Sequence, residues 1–197
     1  MLIWAFFLGS CAAVLAVTLY VVTRWVGLPT YAVLKQSNIL LYCFLMVGPI
    51  EEGTKFLFAR VFIFSSRYFD ERIDGIVYAS AVAIGFASLE SIIHMPYLNW
   101  YQQLARALTS PLTHSLFAAV WGFGVSRAFF SSRTRTDRIL WQIIPLLISM
   151  FLHGLYDYFL LAHNATFLAS GIALILWVLL IIYARRVVWA QKPIKKT

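Results

Sequence analysis

The chain has 197 residues, 61% of them hydrophobic and only 12% charged, with a mean hydropathy of +0.80. These values exclude a soluble single domain and identify a polytopic membrane protein. The net charge of +8 at pH 7 comes largely from loops and the tail, which points to anionic lipid headgroups and topology rather than to nucleic acid.

No alternating ten-residue strand pattern is visible, and backbone polar groups must be satisfied inside lipid, so the predicted fold class is all-α: a transmembrane helical bundle. Six spans are the economical count, at roughly 2–23, 38–64, 74–94, 103–130, 139–162 and 165–188, each close to or above the ~20 residues that cross hydrocarbon. The first contains Leu8-Gly9-Ser10-Cys11, which resembles a lipoprotein cleavage site, but the residues before it are too few and carry no positive charge. Cys11 and Cys43 have no metal or redox spacing and read as small core residues. A short mixed segment, 24–37, is expected along the membrane interface. The second span holds Gly48-Pro49-Ile50-Glu51-Glu52-Gly53-Thr54-Lys55, and Pro49 is expected to break its helix, because proline lacks a backbone donor and disturbs the preceding turn. Asp74 is expected to cap the third helix. That helix carries a small-residue face of Ala81, Ala83, Gly85, Ala87 and Ser88, which suits close packing within or between subunits. One helical domain, 1–197, accounts for the chain, with core motifs at 48–158 and a basic tail at 185–197.

Charge orients the bundle. Arg67, Arg72, Arg133, Arg135, Arg138, Arg185, Arg186, Lys192, Lys195 and Lys196 fall on one side, against Arg24, Lys35 and Arg106 on the other. By the positive-inside rule both termini are cytoplasmic. In that topology Glu51, Glu52, Glu90, His114, His153 and Asp157 all come to the middle and outer half of the membrane, from four different spans.

Each charge at mid-membrane costs about 2.5–3.5 kcal/mol unless it is paired or faces a cavity. On a helix Lys55 is i,i+4 from Glu51 and i,i+3 from Glu52, so it neutralises one carboxylate and leaves the other for acid–base chemistry. Glu90 and His94 are i,i+4, with His94 near the interface; His114 follows Pro111. His153 and Asp157 are i,i+4 on one face, where Asp157 can fix the imidazole tautomer or join it at a metal. Two chemistries fit. A Zn²⁺ can take Glu90, His114 and His153, with a glutamate of the 51/52 pair as base. Alternatively, a glutamate activates water without metal while the histidines polarise the carbonyl. The defining residues of zincins, serine hydrolases and presenilin-like proteases are absent.

Taken in order, Glu51-Glu52-x-x-Lys55, Asp74-Gly75-Ile76-Val77-Tyr78, Gly85-Phe86-Ala87-x-x-Glu90, His114 and His153-x-x-x-Asp157 resemble the PrsW family of intramembrane proteases. More distantly they resemble the CAAX prenyl endopeptidases, although Lys55, Glu90 and Asp157 stand where that group has Arg, His and Asn. The resemblance implies a cell-membrane protease that cuts a single-span membrane protein, for example an anti-sigma factor, in or near its span. It also implies Glu51 as the water-activating base and Glu52 as the partner of Lys55 or a second ligand, with Phe86 in support. Two other function classes share these features: a non-catalytic scaffold or substrate-binding protein, and a proton-coupled transporter, since buried Glu and His also mark ion pathways.

Overall fold

The computed structural model describes residues 1–27, 39–163 and 166–190. It is all-helical, with no strand among the described residues. The helices are α1 (Leu2–Trp25), α2 (Ile39–Tyr42), α3 (Gly48–Phe62), α4 (Asp74–His94), α5 (Trp100–Phe130), α6 (Arg135–His163) and α7 (Thr166–Ala190). The interfacial segment expected up to residue 37 falls from residue 28 onward outside the described residues, as does the tail from 191.

Between α2 and α3 the backbone does not break. Cys43–Val47 form a π-helical turn, and Tyr42, Val47 and Gly48 keep helical dihedrals. The three pieces are therefore one rod, and the described chain is a bundle of six. The expected break at Pro49 becomes a widened turn. Proline's ring crowds the carbonyl four residues back, and a π turn moves that carbonyl away without ending the helix.

Three other expectations are corrected at the helix ends and surface. Asp74 is the first residue of α4, and its Oδ2 accepts from the backbone N–H groups of Asp70 (3.1 Å) and Glu71 (2.8 Å), so it ties down the preceding loop. α5 starts three residues before position 103, because Asn99 and Gln102 form a reciprocal capping box with both bonds at 3.0 Å. Cys11 is exposed on the outer face of α1 and only Cys43 is buried.

Close helix approaches position the site. A Cβ on Gly9 would strike the Val82 carbonyl, and one on Gly85 would strike that of Phe6, so α1 and α4 pack backbone to backbone. In the same way Gly48 lies against the Met150 carbonyl and Gly154 against that of Cys43. These two contacts press the α2–α3 rod onto α6. A dry core fills the end of the bundle near α3's C-terminus, around Ile63, Phe64, Phe69, Val82, Trp121 and Val125. The aromatic rings interlock there, with Phe64–Phe69 centroids 4.9 Å apart and Phe69–Phe129 5.2 Å apart. The opposite half stays open as a cavity of about 1700 Å³ between α1, α4, α5 and α6. Three helices, at Leu2–Trp25, Asp74–Tyr97 and Arg135–Leu161, are long and apolar enough to cross a membrane.

Candidate active site

At the junction of core and cavity, α3 presents Glu51 and Glu52 in different directions, as adjacent helical positions must. Glu52 points into the protein and is completely buried. Its Oε1 accepts from Lys55 Nζ at 2.6 Å and from His153 Nδ1 at 2.9 Å. Its Oε2 accepts from Trp121 Nε1 at 2.9 Å and lies 3.2 Å from Ser149 Oγ, whose single hydrogen is shared with the Phe117 carbonyl at 2.7 Å. Three donors and a shared serine hydroxyl therefore surround one carboxylate, which is how a buried charge is tolerated in an apolar bundle.

Glu51 faces the cavity. Tyr20 of α1 donates to its Oε1 at 3.1 Å, while Oε2 is buried without a hydrogen-bond partner among the described residues. That free oxygen lies 3.7 Å from His153 Nε2 and 3.9 Å from His114 Nδ1. The imidazoles of His114 and His153 meet edge to face at 5.0 Å, and His153 is further fixed by stacking on Phe117 at 4.8 Å. The two glutamates thus bracket His153, Glu52 at Nδ1 and Glu51 beside Nε2.

Lys55 is fully buried. Besides Glu52 it contacts His114 Nδ1 at 2.8 Å and lies 4.4 Å over the Phe86 ring. Phe86 also packs on His114, with centroids 5.7 Å apart. The other nitrogen of His114, Nε2, is 3.2 Å from Glu90 Oε2. Arg106 holds Glu90 Oε1 at 2.6 Å, and His94 stands at 3.7 Å from the same oxygen. Asp157 Oδ2 is 3.5 Å from His153 Nε2. Every residue named from the sequence therefore lies in one cluster.

One nitrogen from each of His114 and His153 and one oxygen from Glu51 lie within 4.8 Å of one another. A closed tetrahedral zinc site, with bonds of about 2.0–2.1 Å, spaces its ligands roughly 3.3–3.4 Å apart. The separations of 3.7 and 3.9 Å about Glu51 Oε2 are a few tenths wider, and that oxygen has no other partner, so this donor set fits a divalent metal. The sequence reading drew the carboxylate of such a set from Glu90. In the structure Glu51 is the carboxylate grouped with both imidazoles, while Glu90 leans on Arg106.

The model of the PrsW family, described as intramembrane metalloproteases, matches residues 1–184. The chain belongs to the PrsW family. Protease PrsW of Geobacillus kaustophilus is 38% identical over 119 residues, which cover 60% of this chain and 52% of the relative. Protease PrsW of Bacillus subtilis is 33% identical over 134 residues, 66% and 61% of the two chains. That of Halalkalibacterium halodurans is 29% identical over 143 residues, 72% and 65%. The chain thus spans about half to two thirds of the length of these curated relatives. No solved structure matches. PrsW membership and the apolar helices together make this a multi-pass membrane protein.

Four partners of the cluster escaped the sequence reading: Tyr20, Trp121, Ser149 and, as a partner of Glu90, Arg106. Ser149 stands four residues before His153, and Trp121 seven after His114, so helical spacing from the histidines could have found both. Nothing in the sequence around Tyr20 marks it.

Proposed function

We propose that this PrsW protein is an endopeptidase that hydrolyses a peptide bond in or near the membrane span of another membrane protein. The observation that carries the reading is Glu51 Oε2: a buried carboxylate oxygen with no hydrogen-bond partner, facing both imidazoles at the wall of a large cavity. A scaffold gains nothing from leaving such an atom unsatisfied.

Glu51, His114 and His153 would hold a divalent ion such as zinc. Bound there, zinc would supply a Lewis acid for the scissile carbonyl and a water acidic enough to attack at neutral pH. Glu52 has no capacity left for substrate, so its work is positional. By accepting the Nδ1–H of His153 it leaves the Nε2 lone pair on the side of Glu51. Tyr20 steadies Glu51 from α1.

A second reading needs no metal and rests on Lys55, whose ammonium already occupies His114 Nδ1. Here Glu51 Oε2 takes a proton from water as the water oxygen bonds to the scissile carbon. Glu51 then gives the proton to the leaving nitrogen as the C–N bond breaks. In both readings Glu51 stands at the reacting atoms.

The cavity suits an unwound stretch of substrate. Besides Glu51, its wall holds Arg106 Nε and Ser110 Oγ, both buried and without a hydrogen-bond partner among the described residues. An unwound peptide offers the N–H and C=O groups that such atoms need, and lipid offers none. An anti-sigma factor tethered by one span is the substrate type that the PrsW resemblance suggests.

The test is cleavage of single-span substrates by purified protein in liposomes. Wild type runs beside Glu51→Gln, Glu52→Gln and His153→Ala, each with and without a zinc chelator. Loss in Glu51→Gln and loss on chelation support the metal reading. Loss in Glu51→Gln with no effect of chelator supports the glutamate reading. Undiminished cleavage by Glu51→Gln refutes both.

A further inference from the structure

We infer that Lys55 is a built-in competitor for the metal: its ammonium holds the one lone pair through which His114 could ligate, so metal binding displaces Lys55 from His114. The inference rests on the metal reading above and adds a residue that works against metal binding.

The argument is one of electron pairs. A neutral imidazole has a single in-plane lone pair, on one nitrogen, and carries a hydrogen on the other. An ammonium has three hydrogens and no lone pair, so in the 2.8 Å contact between Lys55 Nζ and His114 Nδ1 the lysine donates and Nδ1 accepts. The hydrogen is then on Nε2, which faces Glu90 Oε2 at 3.2 Å. Neither nitrogen is free in this arrangement. Ligation through Nδ1 requires the lysine to leave. Ligation through Nε2 requires a hydrogen on Nδ1, which would then point at an ammonium. By either nitrogen, His114 binds a metal only after its bond to Lys55 is broken.

Lys55 has somewhere to remain when that happens. Its contact with Glu52 Oε1 is shorter, at 2.6 Å, and the Phe86 face lies 4.4 Å away. A rotation of the terminal torsions releases His114 while both of these are kept. The lysine thereby ties His114 to Glu52 in the metal-free site, with His114 Nε2 resting 3.2 Å from Glu90 Oε2, and keeps the imidazole lone pair from standing open in an apolar bundle. His153 needs no such guard, because its Nδ1 is already committed to Glu52.

The test measures Zn²⁺ and Co²⁺ affinity of the full chain in detergent, by competition with a chromophoric chelator, for wild type and Lys55→Met. Methionine keeps most of the lysine's volume and removes both donor and charge. Loss of a charge-assisted hydrogen bond and of a neighbouring cation should tighten binding by on the order of tenfold or more. Equal or weaker binding by a folded Lys55→Met overturns the inference and leaves the metal reading standing. If neither protein binds either ion, both fall.

A second measurement uses wild type alone, in case the variant does not fold. ¹⁵N NMR of labelled lysine and histidine side chains is followed during Zn²⁺ addition. The Lys55 Nζ and His114 Nδ1 signals should move together with one equivalent of metal. Histidine signals that move while Lys55 stays unchanged would overturn the inference.

Discussion

Replacing Glu52 by glutamine tests the packing account of the site most directly, because it changes almost no volume. Oε1 accepts from Lys55 and His153; Oε2 accepts from Trp121 and from the Ser149 hydroxyl that it shares with the Phe117 carbonyl. A carboxamide has one oxygen and one NH₂. Turned one way its NH₂ faces the donors of Lys55 and His153, turned the other it faces the Trp121 N–H, so at least one donor loses its acceptor. If the oxygen is turned to Trp121 and Ser149, the buried Lys55 keeps its charge without a counter-ion. Breaking a buried pair from one side costs about 3–5 kcal/mol. For a chain of this size that corresponds to roughly 2–4 °C per kcal/mol, so the melting temperature should fall by about 6–20 °C. The double variant Glu52→Gln/Lys55→Met removes the stranded charge and should recover most of the loss, giving a coupling well above the ~0.5 kcal/mol expected of independent sites. The assay is thermal unfolding in detergent, followed by circular dichroism for the two single variants and the double. A loss below ~1 kcal/mol in Glu52→Gln, or strict additivity in the double, would refute the reasoning.

Glu51→Gln should behave in the opposite way. Its Oε2 has no hydrogen bond to lose, so stability should stay within about 1 kcal/mol of wild type while cleavage falls by on the order of 10²-fold or more, as read from substrate band loss on gels. Tyr20→Phe removes the one hydrogen bond to Glu51 Oε1 among the described residues. It should leave unfolding within ~1 kcal/mol and lower kcat several-fold at unchanged KM. Gly154→Ala drives a methyl against the Cys43 carbonyl. It should cost about 1–3 kcal/mol by thermal unfolding and reduce cleavage as the α2–α3 rod is pushed off α6.

The parts of the site legible in the sequence were those written in local spacing. The i,i+3 relation of Glu52 to Lys55 and the i,i+4 relation of His153 to Asp157 put each pair on one helical face before any fold was known. The convergence of four spans followed from depth alone, because charges that cannot face lipid must face one another. What spacing could not supply was which side of each helix looks inward. The division of labour between Glu51 and Glu52 depends on Trp121 and Ser149, and these read as ordinary members of apolar runs until α5 and α6 are docked. Arg106 served in the sequence only as a topological charge, because its link to Glu90 joins two different helices. The π turn at Cys43–Val47 was hidden for another reason: proline announces a disturbance but not whether the helix absorbs it or ends.

The partners of Glu52 have a consequence for how the chain is made. Lys55 is three residues away, but Trp121, Ser149 and His153 follow Glu52 by 69, 97 and 101 residues. When this segment leaves the ribosome and enters the bilayer, only the lysine has been synthesised. Glu52 and Lys55 must therefore enter lipid as a self-neutralised pair, and the other three bonds close as α5 and then α6 arrive. His153, which completes the set around Glu51, comes last of these. The nascent chain thus carries Glu51 through most of synthesis without the two imidazoles that face it, and the cluster is complete only with the fifth rod of the bundle.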